Sequence, residues 1–455
     1  MEHLGPNISR WKNWCLRSTN RKIFAGIISV GSFTVLVKMA AVGKQLVIAG
    51  RFGTSDALDA FLIAFLAPSF VINVAAGSFS AAVIPTFLEV RLREGQEAAQ
   101  RLFSSLMVLS ILLILAISAV LAVLSPYIIE VIGSGFSPQK QSLTCSLFFA
   151  ILPLLVIGGL AFMWTSILNA ERRFGLAAIA PVLTPVVAVI FIVLFGRNWG
   201  IYALAAGTVC GGLLELMLLG NGLKRQGFFL VPRWCGMNPA VKQVARQYVP
   251  MAAGALLMSG TDVVDQSMAA MLGAGSVSAL NYGNKVVSLI IGIGSLSLST
   301  AIFPYLSRMA TNKDWAGIKN TIVTYGRIVL IVSVPATILL VYLSSPMVSL
   351  LFERGAFTEG DAHLVARVQG LYLLQIPFYL LGIMGVRLLS ALKKNHILMG
   401  ISGINLVVNI LANIVFMRYM GLPGISLSTS VVYFISLVLI CLFLRPILRM
   451  GGTHA

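Results

Sequence analysis

Charge is the scarcest feature of this sequence: of 455 residues only 11% are Asp, Glu, Lys or Arg, less than half the usual share of about 25%. Such a shortage excludes an ordinary soluble enzyme. Acids are scarcer than bases, 15 against 33, which leaves a formal charge of +18. Five cysteines (Cys15, Cys145, Cys210, Cys235, Cys441) stand far apart with no C-x-x-C pair, which argues against a redox motif or thiolate metal site and makes them small apolar fillers. Four scattered histidines (His3, His363, His396, His454) offer no transition-metal constellation. What is abundant is apolar side chain, 58% of the chain. If a bilayer crossing takes about 20 apolar residues, that content supplies about twelve crossings with little left for an extramembrane domain.

An apolar window places spans near 25–50, 57–88, 102–126, 143–168, 176–196, 200–220, 248–272, 277–306, 323–343, 367–391, 397–417 and 421–443. The run that opens the first span follows the basic segment Met1 to Lys22, is too long for a signal-peptide core and lacks a small-residue cleavage site, so it is expected to stay as a span. With the N-terminus cytoplasmic, most Lys and Arg fall in cytoplasmic loops, for example Arg172-Arg173, Lys224-Arg225 and Lys393-Lys394. The positive charge therefore reports topology, with both termini cytoplasmic, and no nucleic-acid partner.

The chain also repeats itself at an offset of about 220 residues. Val83-Ile84-Pro85-Thr86-Phe87 answers Ile302-Phe303-Pro304-Tyr305-Leu306, Asn169-Ala170-Glu171-Arg172-Arg173 answers Ser390-Ala391-Leu392-Lys393-Lys394, and Gly200-Ile201 is paired with Gly424-Ile425. The expected fold is an all-α integral membrane protein of about twelve transmembrane helices in two pseudo-symmetric six-helix halves around a central cavity. In residue numbers this gives a cytoplasmic segment 1–22, an N-terminal half 23–222, a cytoplasmic linker 223–247, a C-terminal half 248–443 and a cytoplasmic tail 444–455.

Charges inside spans are costly, at least ~2.5–3.5 kcal/mol each on insertion scales, so each must snorkel, pair or line an aqueous cavity. Lys44 is six residues from Gly50, roughly 9 Å along a helix. It and Arg387, close to Lys393, are as readily explained by snorkelling as by function. Lys38 is twelve residues from Gly50 and sixteen from Lys22, roughly 18 and 24 Å, and Lys285 is about as deep in its span; both are expected to line a cavity. Asp262 and Asp265 share one helix face, where they either neutralise Lys38 or Lys285 or form a site for a coupling cation or proton. Asp56 and Asp59 open the second span, where a helix N-terminus favours negative charge, and capping explains Asp56. Glu215 is expected at the interface beside Lys224 and Arg225. Several buried ammonium groups call for an anionic cargo such as pyrophosphate.

Several segments carry a family resemblance: Arg51-Phe52-Gly53-Thr54-Ser55-Asp56-Ala57-Leu58-Asp59-Ala60-Phe61; Gly77-Ser78-Phe79-Ser80 with Pro85; Val264-Asp265; Gly275-Ser276-Val277-Ser278-Ala279-Leu280-Asn281-Tyr282; Phe303-Pro304 with Leu306-Ser307-Arg308; and Leu351-Phe352-Glu353-Arg354-Gly355-Ala356-Phe357-Thr358. In this order they resemble the MurJ (MviN) lipid II flippases of the multidrug/oligosaccharidyl-lipid/polysaccharide exporter superfamily. The resemblance implies alternating access, in which Lys38, Lys44 and Lys285, with Asp59 nearby, receive the pyrophosphate of an undecaprenyl-linked cell-wall precursor and release it in the outer leaflet. It implies no resident cofactor, a sodium ion or proton and the membrane potential as drive, and membrane lipids and a lipid-linked glycan as partners of a monomer. Three departures stand out: lysines replace cavity arginines and lose the bidentate fork; arginines and a glutamate of span 2 are replaced around Val71-Ile72-Asn73-Val74-Ala75-Ala76; and twelve spans are expected where the family has two more. Exporters of exopolysaccharide or O-antigen lipid-linked oligosaccharides are the alternative. An ion-coupled multidrug antiporter of the same superfamily would use Asp262 and Asp265. An enzyme acting on the same carriers would need its chemistry in the loop Ser344 to Arg367, whose Glu353, Arg354, Glu359, Asp361 and His363 read as a solvated turn.

Overall fold

A computed structural model of the chain describes residues 19–392 and 394–450. Most of the expected segment 1–22, the end of the tail 444–455, and Lys393 lie outside the described residues. Every long element described is helical: α1 (Thr19–Phe52), α2 (Asp56–Arg93), α3 (Gly95–Ile132), α4 (Pro138–Ile151), α5 (Pro153–Ala170), α6 (Phe174–Ile179), α7 (Leu183–Trp199), α8 (Ile201–Lys224), α9 (Pro239–Ala270), α10 (Ser276–Thr311), α11 (Trp315–Tyr342), α12 (Ser344–Phe352), α13 (Glu359–Leu373), α14 (Gln375–Ala391), α15 (Asn395–Met420) and α16 (Leu422–Met450). Among the described residues, eleven helices are long and apolar enough to cross a membrane. The expected span at 248–272 is α9, which is not one of them because its face carries Thr261, Asp262, Asp265 and Gln266. Leu112, Leu115, Val120 and Val123 on α3, and Ile331, Val332 and Ile338 on α11, are exposed, an arrangement that suits acyl chains and not water.

Breaks between helices follow local chemistry. Pro153 cannot donate to the turn before it, so the expected span 143–168 divides into α4 and α5 at Leu152. Asp314 accepts a bond from the Gly317 amide (2.8 Å) to start α11, and Thr358 and Asp361 form a reciprocal capping box at the start of α13, as expected of Thr followed by an acid three residues on.

The internal repeat is visible in the helices. Leu152 and Leu374 mark corresponding breaks, and the hairpins α7–α8 and α15–α16 turn at Gly200 (φ 52°) and Gly421 (φ 65°). The turn glycines therefore correspond as Gly200 and Gly421, which shifts the sequence pairing of Gly200 with Gly424 by about one helical turn. Within each hairpin a polar pair bridges the two helices at the same separation of 31 residues, Thr184 to Glu215 (2.8 Å) in the first and Asn405 to Ser436 (3.2 Å) in the second. Glu215 thus faces α7, nine residues before Lys224.

The chain packs as two units. One holds the described part of Met1–Val47 with Val71–Val123 and Phe149–Ala252; its core gathers Phe87, Phe103, Trp164, Leu168, Leu223 and Phe228. The other holds Ile48–Phe70, Leu124–Phe148 and Ala253–Ala455, with a core that includes Ile302, Leu306, Leu388 and Ile440. Its membership differs from the expected boundary between sequence halves, because the α1–α2 turn and the end of α3 with most of α4 pack with the later helices.

Candidate functional site

In the second unit, the turn between α1 and α2 is held by a charged cluster. Asp59 sits in the first turn of α2 with 0% exposure. Its Oδ2 accepts from Lys140 Nζ (2.9 Å) and the Gly275 amide (2.8 Å), and its Oδ1 accepts from the Ser278 amide (2.8 Å). The last two donors open α10, so a carboxylate from a remote helix satisfies amides that a helix N-terminus leaves without partners. Lys140, at the start of α4 and 8% exposed, also donates to the exposed Asp56 (2.5 Å) and lies over the Phe136 ring, 4.0 Å from its centroid.

Around this ion pair the backbones meet closely. The Ala356 amide donates to the Gly50 carbonyl (2.9 Å), Tyr282 Oη donates to the Gly53 carbonyl (3.2 Å), and Thr54 donates to Asp361. Gly53 (φ 53°) and Gly275 (φ 77°) take left-handed conformations, and a Cβ at either would collide with a carbonyl oxygen, of Ala356 and of Thr54 respectively. Glycine is therefore required there for both backbone angle and space. Tyr282, Phe352 and Phe357 pack against one another in tilted and edge-on contacts, with ring centroids 5.2 to 5.9 Å apart. Sequence reasoning placed Asp59 beside the pyrophosphate-binding lysines; the structure places it inside this closed cluster.

A second polar group lies deeper in the same unit. Asp265 on α9, 5% exposed, receives Nδ2 of Asn409 (2.9 Å) and Nδ2 of Asn413 (2.7 Å) on Oδ1, and the Thr429 hydroxyl (3.0 Å) on Oδ2. Asn409 and Asn413 are one helical turn apart on α15 and so share a face, with Thr429 opposite on α16. The side-chain oxygens of Asn405 and Asn413 are buried without a donor. Asp265, Asn409 and Thr429 line a cavity of about 290 Å³ together with Asp262, Asn405 and Tyr433. Oxygen donors of this type suit a hard cation. Among the described residues no three His, Cys, Asp or Glu side chains cluster as a metal site. Asp262 is exposed on the cavity wall and feels the charge of Lys285, which is half-buried on α10; of the expected site residues these two are brought together.

Lys38 and Lys44 belong to the first unit. Lys38 is exposed on α1 beside Val35, Met39 and Val42, and Lys44 is half-buried; six residues apart, they point about 120° from each other around the helix. Sequence reasoning passed over Lys140, Asn409, Asn413 and Thr429. The signal for the asparagines was present as two amides at helical spacing in an otherwise apolar span, while nothing local linked Lys140 to Asp59.

Comparison with known proteins places this architecture. A family model described as lipid II flippase MurJ matches residues 48–454. The chain is 27% identical over 427 residues to the probable lipid II flippase MurJ of Buchnera aphidicola subsp. Acyrthosiphon pisum, covering 91% of this chain and 82% of that protein. It is 26% identical over 444 residues to the lipid II flippase MurJ of Burkholderia cenocepacia, covering 93% and 84%. Its fold is similar to a solved lipid II flippase MurJ in an inward closed conformation (TM-score 0.80, 23% identity, 92% of this chain and 87% of that one). It is also similar to an inward-facing multidrug resistance MATE family transporter of the MOP superfamily (TM-score 0.76, 14% identity, 94% and 99%). With a transporter fold, and a family model that spans nearly the whole chain, this protein belongs to the lipid II flippase MurJ family.

Proposed function

We propose that the chain is an alternating-access flippase that carries lipid II, an undecaprenyl-pyrophosphate-linked cell-wall precursor, from the inner to the outer leaflet of a bacterial inner membrane. The match to the MurJ family model over residues 48–454 carries this reading. In it, 23–222 and 248–443 are the two halves that move, both termini are cytoplasmic, and the Asp59–Lys140 cluster is the outer lock. Lys38, Lys44 and Lys285 receive the pyrophosphate as point charges, so recognition depends on charge more than on fork geometry. Outward movement of a doubly charged head gains roughly 4–5 kcal/mol per 100 mV of inside-negative potential. Expression in a strain depleted of its own lipid II flippase is expected to restore growth, and failure of the membrane-inserted protein to do so removes lipid II as the cargo.

The Asp265 cavity supplies the coupling in this proposal. A carboxylate with neutral donors around it and two uncommitted amide oxygens nearby fits a sodium ion, or a proton on the carboxylate itself. Asp265→Asn keeps the shape and removes the charge, and is expected to lower gradient-stimulated flipping in proteoliposomes by roughly tenfold, the equivalent of about 1.4 kcal/mol. Gradient dependence equal to that of the unaltered protein would assign Asp265 to packing alone.

A further inference from the structure

From Glu215 to Asp262 the chain has no acid between those two residues, yet it carries Lys224, Arg225, Arg233, Lys242 and Arg246. Where this segment lies is fixed by α3. Gln96 donates to the Gln226 carbonyl (3.5 Å), Gln100 both donates to and accepts from the Phe229 backbone (3.0 Å each), and Ser105 accepts from the Cys235 amide (3.3 Å). The linker thus climbs α3 from its first turn, over nine residues or roughly 14 Å, and passes the level of Arg101, after which α3 carries no charged residue until Glu130. Phe228 anchors it, buried between Phe87 and Phe103.

The side chains that remain outside are of two kinds. Phe229 (75% exposed), Val231, Trp234 (51%) and Met237 are large and apolar, and Arg233 stands among them. Beyond Pro239, the first turns of α9 bury Val241 and Val244 and set Tyr248 edge-on against Phe79 (6.4 Å), while Lys242, Gln243 and Arg246 are exposed on the opposite face. In water, four large apolar side chains on a loop would be costly, whereas at a bilayer interface aromatic rings and cations find their respective partners.

We propose that Phe229–Arg246 is an interfacial element that docks on anionic phospholipid headgroups. Trp234 and Phe229 enter the headgroup boundary, and Arg233, Lys242 and Arg246 bind lipid phosphates. Charge complementarity selects this occupant: the cations have no acid in their own segment, and a negatively charged leaflet attracts basic clusters beside membrane spans. The site lies outside the cavity lysines and the Asp265 group and does not depend on which lipid is flipped.

The test uses the full chain in nanodiscs of about seven parts phosphatidylcholine to three parts phosphatidylglycerol, with bromine placed on the acyl chains of one lipid or the other at equal fraction. Subtracting the emission of Trp234→Phe isolates Trp234 from the other tryptophans. Trp234 is expected to be quenched about twofold more by brominated phosphatidylglycerol than by brominated phosphatidylcholine. The combined variant Arg233→Gln, Lys242→Gln, Arg246→Gln should erase that difference yet retain quenching by brominated phosphatidylcholine, which shows the segment still seated. Equal quenching in the unaltered protein overturns the headgroup selectivity, no quenching overturns the interfacial location, and a preference that survives in the triple variant overturns the role of these three cations.

Discussion

Lys285→Ala is expected to lower flipping by roughly 10- to 100-fold, whereas Lys285→Arg retains it. The ammonium is half-buried on α10, within electrostatic reach of Asp262, at a depth where a lipid-facing charge would be expensive. A charge-assisted contact to a phosphate is worth roughly 1.5–3 kcal/mol, so its loss should lower the rate by roughly 10- to 100-fold in a reconstituted assay with a fluorescent lipid-linked substrate. Arginine preserves the charge and adds donors, so the conservative change should cost little.

The same residue has a plainer explanation, and a second substitution separates the two. If Lys285 serves only to neutralise Asp262, then Lys285→Ala leaves an uncompensated carboxylate, and adding Asp262→Asn should restore flipping. If Lys285 receives the phosphate, the double variant stays slow. Recovery to near the unaltered rate in the double variant would sink the anion-clamp role of Lys285, and it would leave Lys38 and Lys44 of the first unit as the remaining candidates.

How far the sequence foretold these features depends on whether their physics is local. Apolar runs are set by neighbouring residues, and most helices follow them; the break at Pro153 and the caps at Asp314 and Thr358 are equally local, but an apolar window does not register them, so 143–168 read as one span. The repeat was legible too, but its register was not. Gly424 shares the identity of Gly200 in the sequence, while the left-handed turn is made by Gly421, because backbone angle and not residue type defines the equivalence. Cross-chain contacts were hidden for a different reason. Asp59 meets Gly275 and Ser278 from more than two hundred residues away, and no periodicity encodes which loop a carboxylate will reach. Weighing only charged residues also concealed the amides of Asn409 and Asn413, although an amide in an apolar span is costly unless it is hydrogen-bonded and so marks a polar partner. The polar face of α9 appeared as individual acids, whereas its common cause is the cavity they line.

If the Asp59–Lys140 cluster is the outer lock of the proposed cycle, Asp59→Ala should release it. The substitution leaves the ammonium of Lys140, 8% exposed, with the solvent-exposed carboxylate of Asp56 and the Phe136 ring, and strips two amides at the start of α10 of their acceptor. Removing one partner of a buried ion pair costs about 3–5 kcal/mol, comparable to the ~5.5 kcal/mol that moves a two-state equilibrium from 99:1 to 1:99. That penalty falls only on the state in which the cluster is assembled, so the population should shift toward the state in which it is apart. A cysteine at Val277, whose side chain is 0% exposed, reports the change. Its modification by a membrane-impermeant maleimide added from outside should be slow in the otherwise unaltered protein and at least tenfold faster with Asp59→Ala. Asp56→Asn, at an exposed partner, should change the rate less than about fivefold, as surface ion pairs contribute under about 1 kcal/mol. Monodisperse elution of each variant distinguishes opening from unfolding. Unchanged labelling at Val277→Cys in a well-folded Asp59→Ala protein would mean that the tight glycine contacts at Gly53 and Gly275 hold this end closed without the carboxylate.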